Sequence, residues 1–283
     1  MSTLAIGNSK RAGLGQGMRI ALLAMVGFAG LAMVVQDADA QRGGGRGGGG
    51  RGFGGAGGGA ALSAQKGLNQ ATWNPRLESP FTVPPRIVMW GGGGGRGGGP
   101  KAAPGVYTVK LASGDWSQEQ TFRLSTDPRL PQMTEAEGAL QLKMAMEVGT
   151  RIKDLYDTLA KLRDAKQQAA QIGDKAGASA VTAAAKKLNA QLVAVEGDIT
   201  QLQGEAGQDS LNFPGRIDNQ WVALYSNIVQ LERRLNKSVK ERYTDLRPAT
   251  DDLMERAAGV LKADVDAFNA VASKAGAGTV IVK

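Results

Sequence analysis

From residue 134 onward, apolar residues return at three- and four-residue steps. Leu140, Met144, Val148, Ile152, Leu155, Leu159 and Leu162 make one stripe. Val181, Ala185, Leu188, Leu192, Val195, Ile199 and Leu202 make a second, and Ile217, Trp221, Leu224, Ile228, Leu231 and Leu235 a third. Residues three and four apart share one side of a helix, so each stripe predicts a helix with one buried face. Thr134-Glu135-Ala136-Glu137 has the spacing of a capping box and opens the first helix, which Gly173-Asp174 is expected to end. Ser238-Val239-Lys240-Glu241 is a second such box, opening a fourth helix through Tyr243, Leu246, Leu253, Val260, Phe268 and Val271. Pro248 falls inside that pattern, and because the apolar spacing runs on across it, one kinked helix is expected. The four stripes and their short connections predict an antiparallel, up-down-up-down four-helix bundle over residues 134–275.

Ahead of the bundle the period shortens to two. Gly67–Trp73, Arg86–Trp90, Val106–Ala112 and Gln118–Leu124 read as short strands, bounded by Asn74-Pro75, Pro84-Pro85, Pro104-Gly105 and Ser113-Gly114-Asp115. Tyr107, Val109 and Leu111 fall on one face of the third strand and Thr108 and Lys110 on the other, the alternation of a half-buried antiparallel strand. The turn at Ser113-Gly114-Asp115 folds it back on the fourth strand, where Phe122 and Leu124 match the apolar face. Residues 65–130 are therefore expected to form a β-domain with Gly91–Gly99 as an expanded loop. Four strands are fewer than the roughly seven of a β-sandwich, so the sheet is expected to be incomplete. The chain as a whole is α+β.

Residues 1–40 have the pattern of a secretory signal peptide. Ile20–Val35 carries no charge, follows Lys10, Arg11 and Arg19, and precedes Ala38-Asp39-Ala40, with cleavage expected after Ala40. The alternative is an uncleaved anchor, for which the run is shorter than the ~20 residues of a full span. No Cys follows it, which excludes a bacterial lipid-anchored form. Residues 41–64 then form a Gly/Arg-rich flexible linker; 21 of the 41 glycines lie in Gly43–Gly59 and Gly91–Gly99, so the foldable chain is shorter than its 283 residues.

Composition narrows the chemistry. The chain has no His and no Cys, which removes imidazole acid-base catalysis, thiol nucleophiles, disulfides and the usual zinc, copper, haem and iron-sulfur ligands. No Gly-rich phosphate loop, calcium loop or nucleophile elbow is present. No catalytic, cofactor-binding or metal-ligating residue is assigned. Asp251, Asp252 and Glu255 could attract a cation, although acids early in a helical segment are ordinary. Trp73, Trp90 and Trp116 could stack on sugars, against which stands the common role of aromatics as cross-strand partners. The Arg-Gly run from Gln41 resembles RNA-binding segments, but an exported chain meets little RNA. The net charge of +8 is small for this length. In Asn212-Phe213-Pro214, Phe213 is expected to plug the end of the bundle and Pro214 to delay the third helix.

Several short motifs recur in a familiar order: Gly67-Leu68-Asn69, Trp73-Asn74-Pro75-Arg76, Trp90, Pro104-Gly105-Val106-Tyr107-Thr108-Val109, Thr126-Asp127-Pro128-Arg129 and Gly207–Pro214. Over residues 65–275 the chain resembles the carboxy-terminal region of exported bacterial sortilin-like, BNR-repeat β-propeller proteins often labelled glycosyl hydrolases. The resemblance implies an immunoglobulin-like β-segment followed by helices. The propeller itself is missing: Ser113-Gly114-Asp115-Trp116 lacks the Gly and Thr of the repeated Asp-box, so no hydrolase residue transfers. The strands expected before Gly67 give way to the glycine tract, which would leave the sheet with an unpaired edge. The resulting expectation is an exported, non-enzymatic accessory or adaptor module that binds protein, either a propeller protein or a second copy. Nucleic acid and stable membrane insertion after cleavage are not expected. Alternatives are a glycan-binding or glycosyl-hydrolase-associated protein and, third, an Arg-Gly nucleic-acid binder.

Overall fold

The structure, a computed structural model, describes residues 3–6, 18–23, 68–87, 99–113, 115–204, 209–230 and 233–282. The chain is α+β, an antiparallel hairpin followed by four packed helices. It divides into two compact units. One holds the strands and the first two turns of the first helix; the other holds Ser79–Ile87 and the remaining helices.

The strands are β1 (Thr3–Ile6), β2 (Met18–Leu23), β3 (Asn69–Thr72), β4 (Gly105–Ser113) and β5 (Trp116–Leu124). β4 and β5 pair antiparallel from Gly105↔Leu124 to Ser113↔Trp116, as the alternation and the turn predict. Directly opposed residues share a face, so Tyr107 meets Phe122; their rings stack at 5.8 Å, and Trp73 packs against both. Pro75–Leu77 lies antiparallel to Pro100–Ala102 through Leu77 N–H to Pro100 O (2.8 Å) and Ala102 N–H to Pro75 O (2.8 Å). A Cβ on Gly99 would overlap the backbone of Leu77 and Glu78, so this close approach requires glycine.

Two expectations for the strands need correction. Strands do precede Gly67: β1 pairs with β3, and β2 runs along β4, so the sheet runs β2-β4-β5 with β2 and β5 at its edges. Arg86 does not begin a strand. Following Pro84-Pro85 it sits in a turn at φ 60°, the left-handed region, which breaks extended backbone; residues 88–90 lie outside the described residues.

α1 (Glu135–Lys175) begins where expected, with Glu137 N–H donating to Thr134 Oγ1 at 3.2 Å. It does not stop at Gly173-Asp174. α2 (Ser179–Ile199) crosses so closely there that a Cβ on Gly173 would lie 2.7 Å from Ala185 Cβ, and Thr182 Oγ1 donates to Gly173 O. Gly173 is a packing residue, and the chain turns at Gly177, φ 59°. The α2 stripe is buried from Val181 to Ile199, whereas Leu202 lies beyond the helix end and is 42% exposed. Leu140 is likewise 39% exposed.

A 3-10 turn at Asp209–Leu211 leads to α3 (Ile217–Gln230), which buries Trp221, Leu224 and Ile228 as predicted; Leu235 is buried from the following loop, and Leu231 lies outside the described residues. α4 (Lys237–Gly259) is capped by Asn236, whose side chain accepts from Val239 N–H, two residues before the expected Ser238 cap. It continues through Pro248 as expected, then through one π-helical turn, Val260–Asp264, into α5 (Val265–Lys274). Pro248 is tolerated because its face is exposed. Two residues on, Thr250 Oγ1 back-bonds to Leu246 O and receives Trp221 Nε1–H at 2.8 Å, locking α3 to α4.

The bundle end is not plugged by Phe213, which is half-buried and outside the core. The aromatic that enters the core is Phe81. Ser79–Ile87 crosses the helices as a strap: Phe81 packs edge-on to Tyr225 at 5.0 Å, Pro85 O accepts from Arg163, and a Cβ on Gly149 would overlap Pro80.

Candidate functional site

β5 is an edge strand with unmet backbone potential. Its two-residue connection makes Ser113 and Trp116 the closing hydrogen-bonded pair, and antiparallel pairs alternate, so the amides of Ser117, Glu119, Thr121 and Arg123 point away from β4. Among the described residues no strand pairs with that side. The side chains from Trp116 to Thr121 are all exposed. Natural edges are blunted by Pro, bulges, Lys or inward charges. β5 holds no Pro, Gly or Lys, and its two charges are engaged within their own unit, Glu119 with Lys110 at 3.3 Å and Arg123 with Glu135. It offers a straight row of amides and carbonyls, the template for strand addition. Nearby, Arg129 donates from backbone and guanidinium to Asp127, holding that carboxyl at about 2 and fixing the turn into α1.

A second group of polar residues lies inside the helical unit. Glu196 is buried, yet Arg163 Nε (2.7 Å) and Lys166 Nζ both donate to it; burial alone would raise its pKa, and the two cations outweigh burial and hold it below the usual range. Asp218, fully buried in the first turn of α3, accepts from Asn219 N–H (2.6 Å) and Asn219 Nδ2 (2.9 Å). Burial nevertheless raises its pKa, against the pull of Asn219, Thr200 and the Arg163 charge. The Tyr156 phenol is pushed up by burial and then by the Asp218 charge. A carboxyl and a phenol shifted this way would be acid-base candidates if substrate reached them. Tyr156 does line a cleft of about 220 Å³ with Phe81 and Lys153, but Asp218 does not. Glu196 ties α2 to α1 through buried charge, while Asp218 is bonded by Asn219 within α3.

The residues singled out in the sequence are scattered. Trp73 belongs to the aromatic cluster with Tyr107 and Phe122, while Trp116 is 50% exposed beside the hairpin turn. Asp251 is bound by Arg151 Nη1 at 2.7 Å, and Asp252 and Glu255 lie exposed on the same helix. Among the described residues no cluster of three or more acidic side chains is arranged to hold a metal ion. Trp90, the 41–64 tract and residues 91–98 lie outside the described residues, as does most of Ile20–Val35. No described helix is long and apolar enough to cross a membrane. A wider cleft of about 290 Å³ opens beside Arg216 and Arg256, but Arg256 is committed to Asp198 at 3.0 Å. Sequence reasoning missed the strap, because Phe81 sits between prolines in a stretch with no periodicity. Compared with known proteins, the chain matches no family model, no curated protein and no solved structure.

Proposed function

We propose that the chain is an exported, non-enzymatic adaptor that binds another polypeptide by adding a strand to the outer edge of β5. One observation carries this: a nine-residue strand, exposed along most of its length, with outward amides at Ser117, Glu119, Thr121 and Arg123 and none of the usual edge protection. The buried Glu196 of the helical unit is held by Arg163 and Lys166, which suits a scaffold. Export rests on the leader pattern of residues 1–40. Cleavage after Ala40 would also remove β1 and β2, opening the far edge of β4 along Thr108–Ser113. The finer identity, an incomplete immunoglobulin-like module related to the propeller-bearing exported proteins, rests on the ordered motifs of residues 65–275.

Proline discriminates the outward edge from the inner one, since it is tolerated in a strand only where its missing N–H faces solvent. Thr121→Pro should leave the β4–β5 pairing and its aromatic near-UV signal intact while abolishing crosslinking to a partner in the exported fraction. Undiminished crosslinking by the Thr121→Pro chain would sink the proposal. A glycan-binding reading draws on the exposed Trp116 alone, and affinity for a sugar panel lost in Trp116→Ala would favour it.

A further inference from the structure

Beyond α5 the chain reverses through a complete Schellman motif. Gly276, at φ 69°, donates N–H to Ser273 O at 3.0 Å, and Ala277 N–H donates to Ala272 O at 2.9 Å. The segment that follows, Gly278–Val282, is neither helix nor strand and packs on the helices through Val280, and among the described residues no strand lies beside it. It is held by two side-chain amides. Asn269 on α5 accepts from Val280 N–H at 2.7 Å and donates Nδ2–H to Val280 O at 2.9 Å. Gln168 on α1 does the same for the next residue, accepting from Ile281 N–H at 2.9 Å and donating to Ile281 O at 3.0 Å.

In extended backbone the N–H and C=O of one residue face one side, and those of the next residue face the other. Asn269 and Gln168 therefore grip opposite edges, each standing in for a neighbouring strand with a carboxamide, which presents a donor and an acceptor side by side as a peptide group does. The second Gln168 Nε2 hydrogen goes to Asp164 Oδ2 at 2.9 Å, one turn earlier on α1, which orients the amide. Between the two clamps Val280 enters the core and is 4% exposed, while Ile281 is 61% exposed. The grip reads backbone plus a single β-branched side chain. Neither amide touches anything peculiar to this segment.

We propose that the groove between α1 and α5 is a peptide-binding site for extended segments with a β-branched residue at the position of Val280, occupied in cis by residues 279–282. A partner strand of that chemistry would enter by displacing the resident segment. This is independent of the β5 edge. A tethered segment competes at an effective concentration on the order of millimolar, so the intact chain should bind such a peptide weakly.

The test uses the full-length chain with Val280→Asp, whose own segment no longer fits the core, and a labelled Gly-Thr-Val-Ile-Val peptide. The variant should bind the peptide saturably and at least about tenfold tighter than the native chain. Adding Gln168→Ala or Asn269→Ala should weaken binding by about tenfold, each change removing two hydrogen bonds. A peptide with Asp in place of its first Val should not bind. Absence of binding by a folded Val280→Asp chain, or binding indifferent to Gln168 and Asn269, would overturn the proposal. Should Val280→Asp fail to fold, the native chain supplies the decision: millimolar peptide must accelerate hydrogen exchange at the Val280 and Ile281 amides, and unchanged exchange rejects the site.

Discussion

The helical unit and the hairpin use the same backbone chemistry in opposite ways. In the helical unit the strong groups are turned inward: Trp221 donates to Thr250, Glu196 binds Arg163 and Lys166, Val280 and Ile281 are gripped by side chains, and the Tyr156 hydroxyl and Asp218 Oδ2 are buried without a hydrogen-bond partner. In the hairpin, β4 buries Tyr107, Val109 and Leu111, while β5 leaves one row of peptide groups without a strand among the described residues. A unit whose strong groups are turned into its interior has little left on its surface with which to recognise a partner. The unanswered row is where recognition belongs.

Substitutions should therefore separate stability from binding according to the unit they strike. Trp221→Ala empties the largest fully buried side chain and removes the donor to the Thr250 hydroxyl, so a loss of about 3–5 kcal/mol in chemical denaturation is expected. Gly149→Val drives methyl groups into Pro80 and lifts the strap, costing about 1–3 kcal/mol. Strand pairing in the hairpin should survive both changes.

Glu196→Gln should cost about 1–2 kcal/mol at neutral pH, because Arg163 and Lys166 are partly exposed and recover some hydration. The sign follows from the lowered pKa: the stabilisation is present above the ordinary carboxylate value and lost as pH falls through the folded value, so the deficit must shrink in acid. Asp218 behaves oppositely. Its raised pKa means that folding is favoured with the carboxyl neutral and stability is lost as pH rises through the folded value, so the melting temperature of Asp218→Asn minus that of the native chain should increase with pH. Parallel pH profiles for the two variants would break the account of the buried charges. At the small end, Trp116→Ala should change stability by no more than about 0.5 kcal/mol, since the ring is half-exposed.

What could be read in the sequence divides along the range of the forces involved. Helical stripes from Val148 to Leu162 and from Val181 to Ile199 were legible because three- and four-residue spacing is a local consequence of helix geometry. So was the β4–β5 hairpin, whose turn and alternation lie within twenty residues. Gly173 misled because a glycine that ends a helix and one that admits a neighbouring helix look alike until Ala185 is placed beside it. Phe81 and Gln168 act across long stretches of chain, and no periodicity marks them or Asn269. From the sequence an unpaired edge is expected where strands before Gly67 are missing; the pairing of Met18–Leu23 with β4 is not foreseen, because it leaves no trace in local pattern.

Amide hydrogen exchange along β5 bears most directly on the claim that this edge is a docking template. In the isolated chain the amides of Gln118, Gln120 and Phe122, which face β4, should be protected, while those of Ser117, Glu119, Thr121 and Arg123 exchange at nearly free rates and become protected when partner is added. Equal protection of both sets in the isolated chain would mean that the edge is already covered, and would contradict the account.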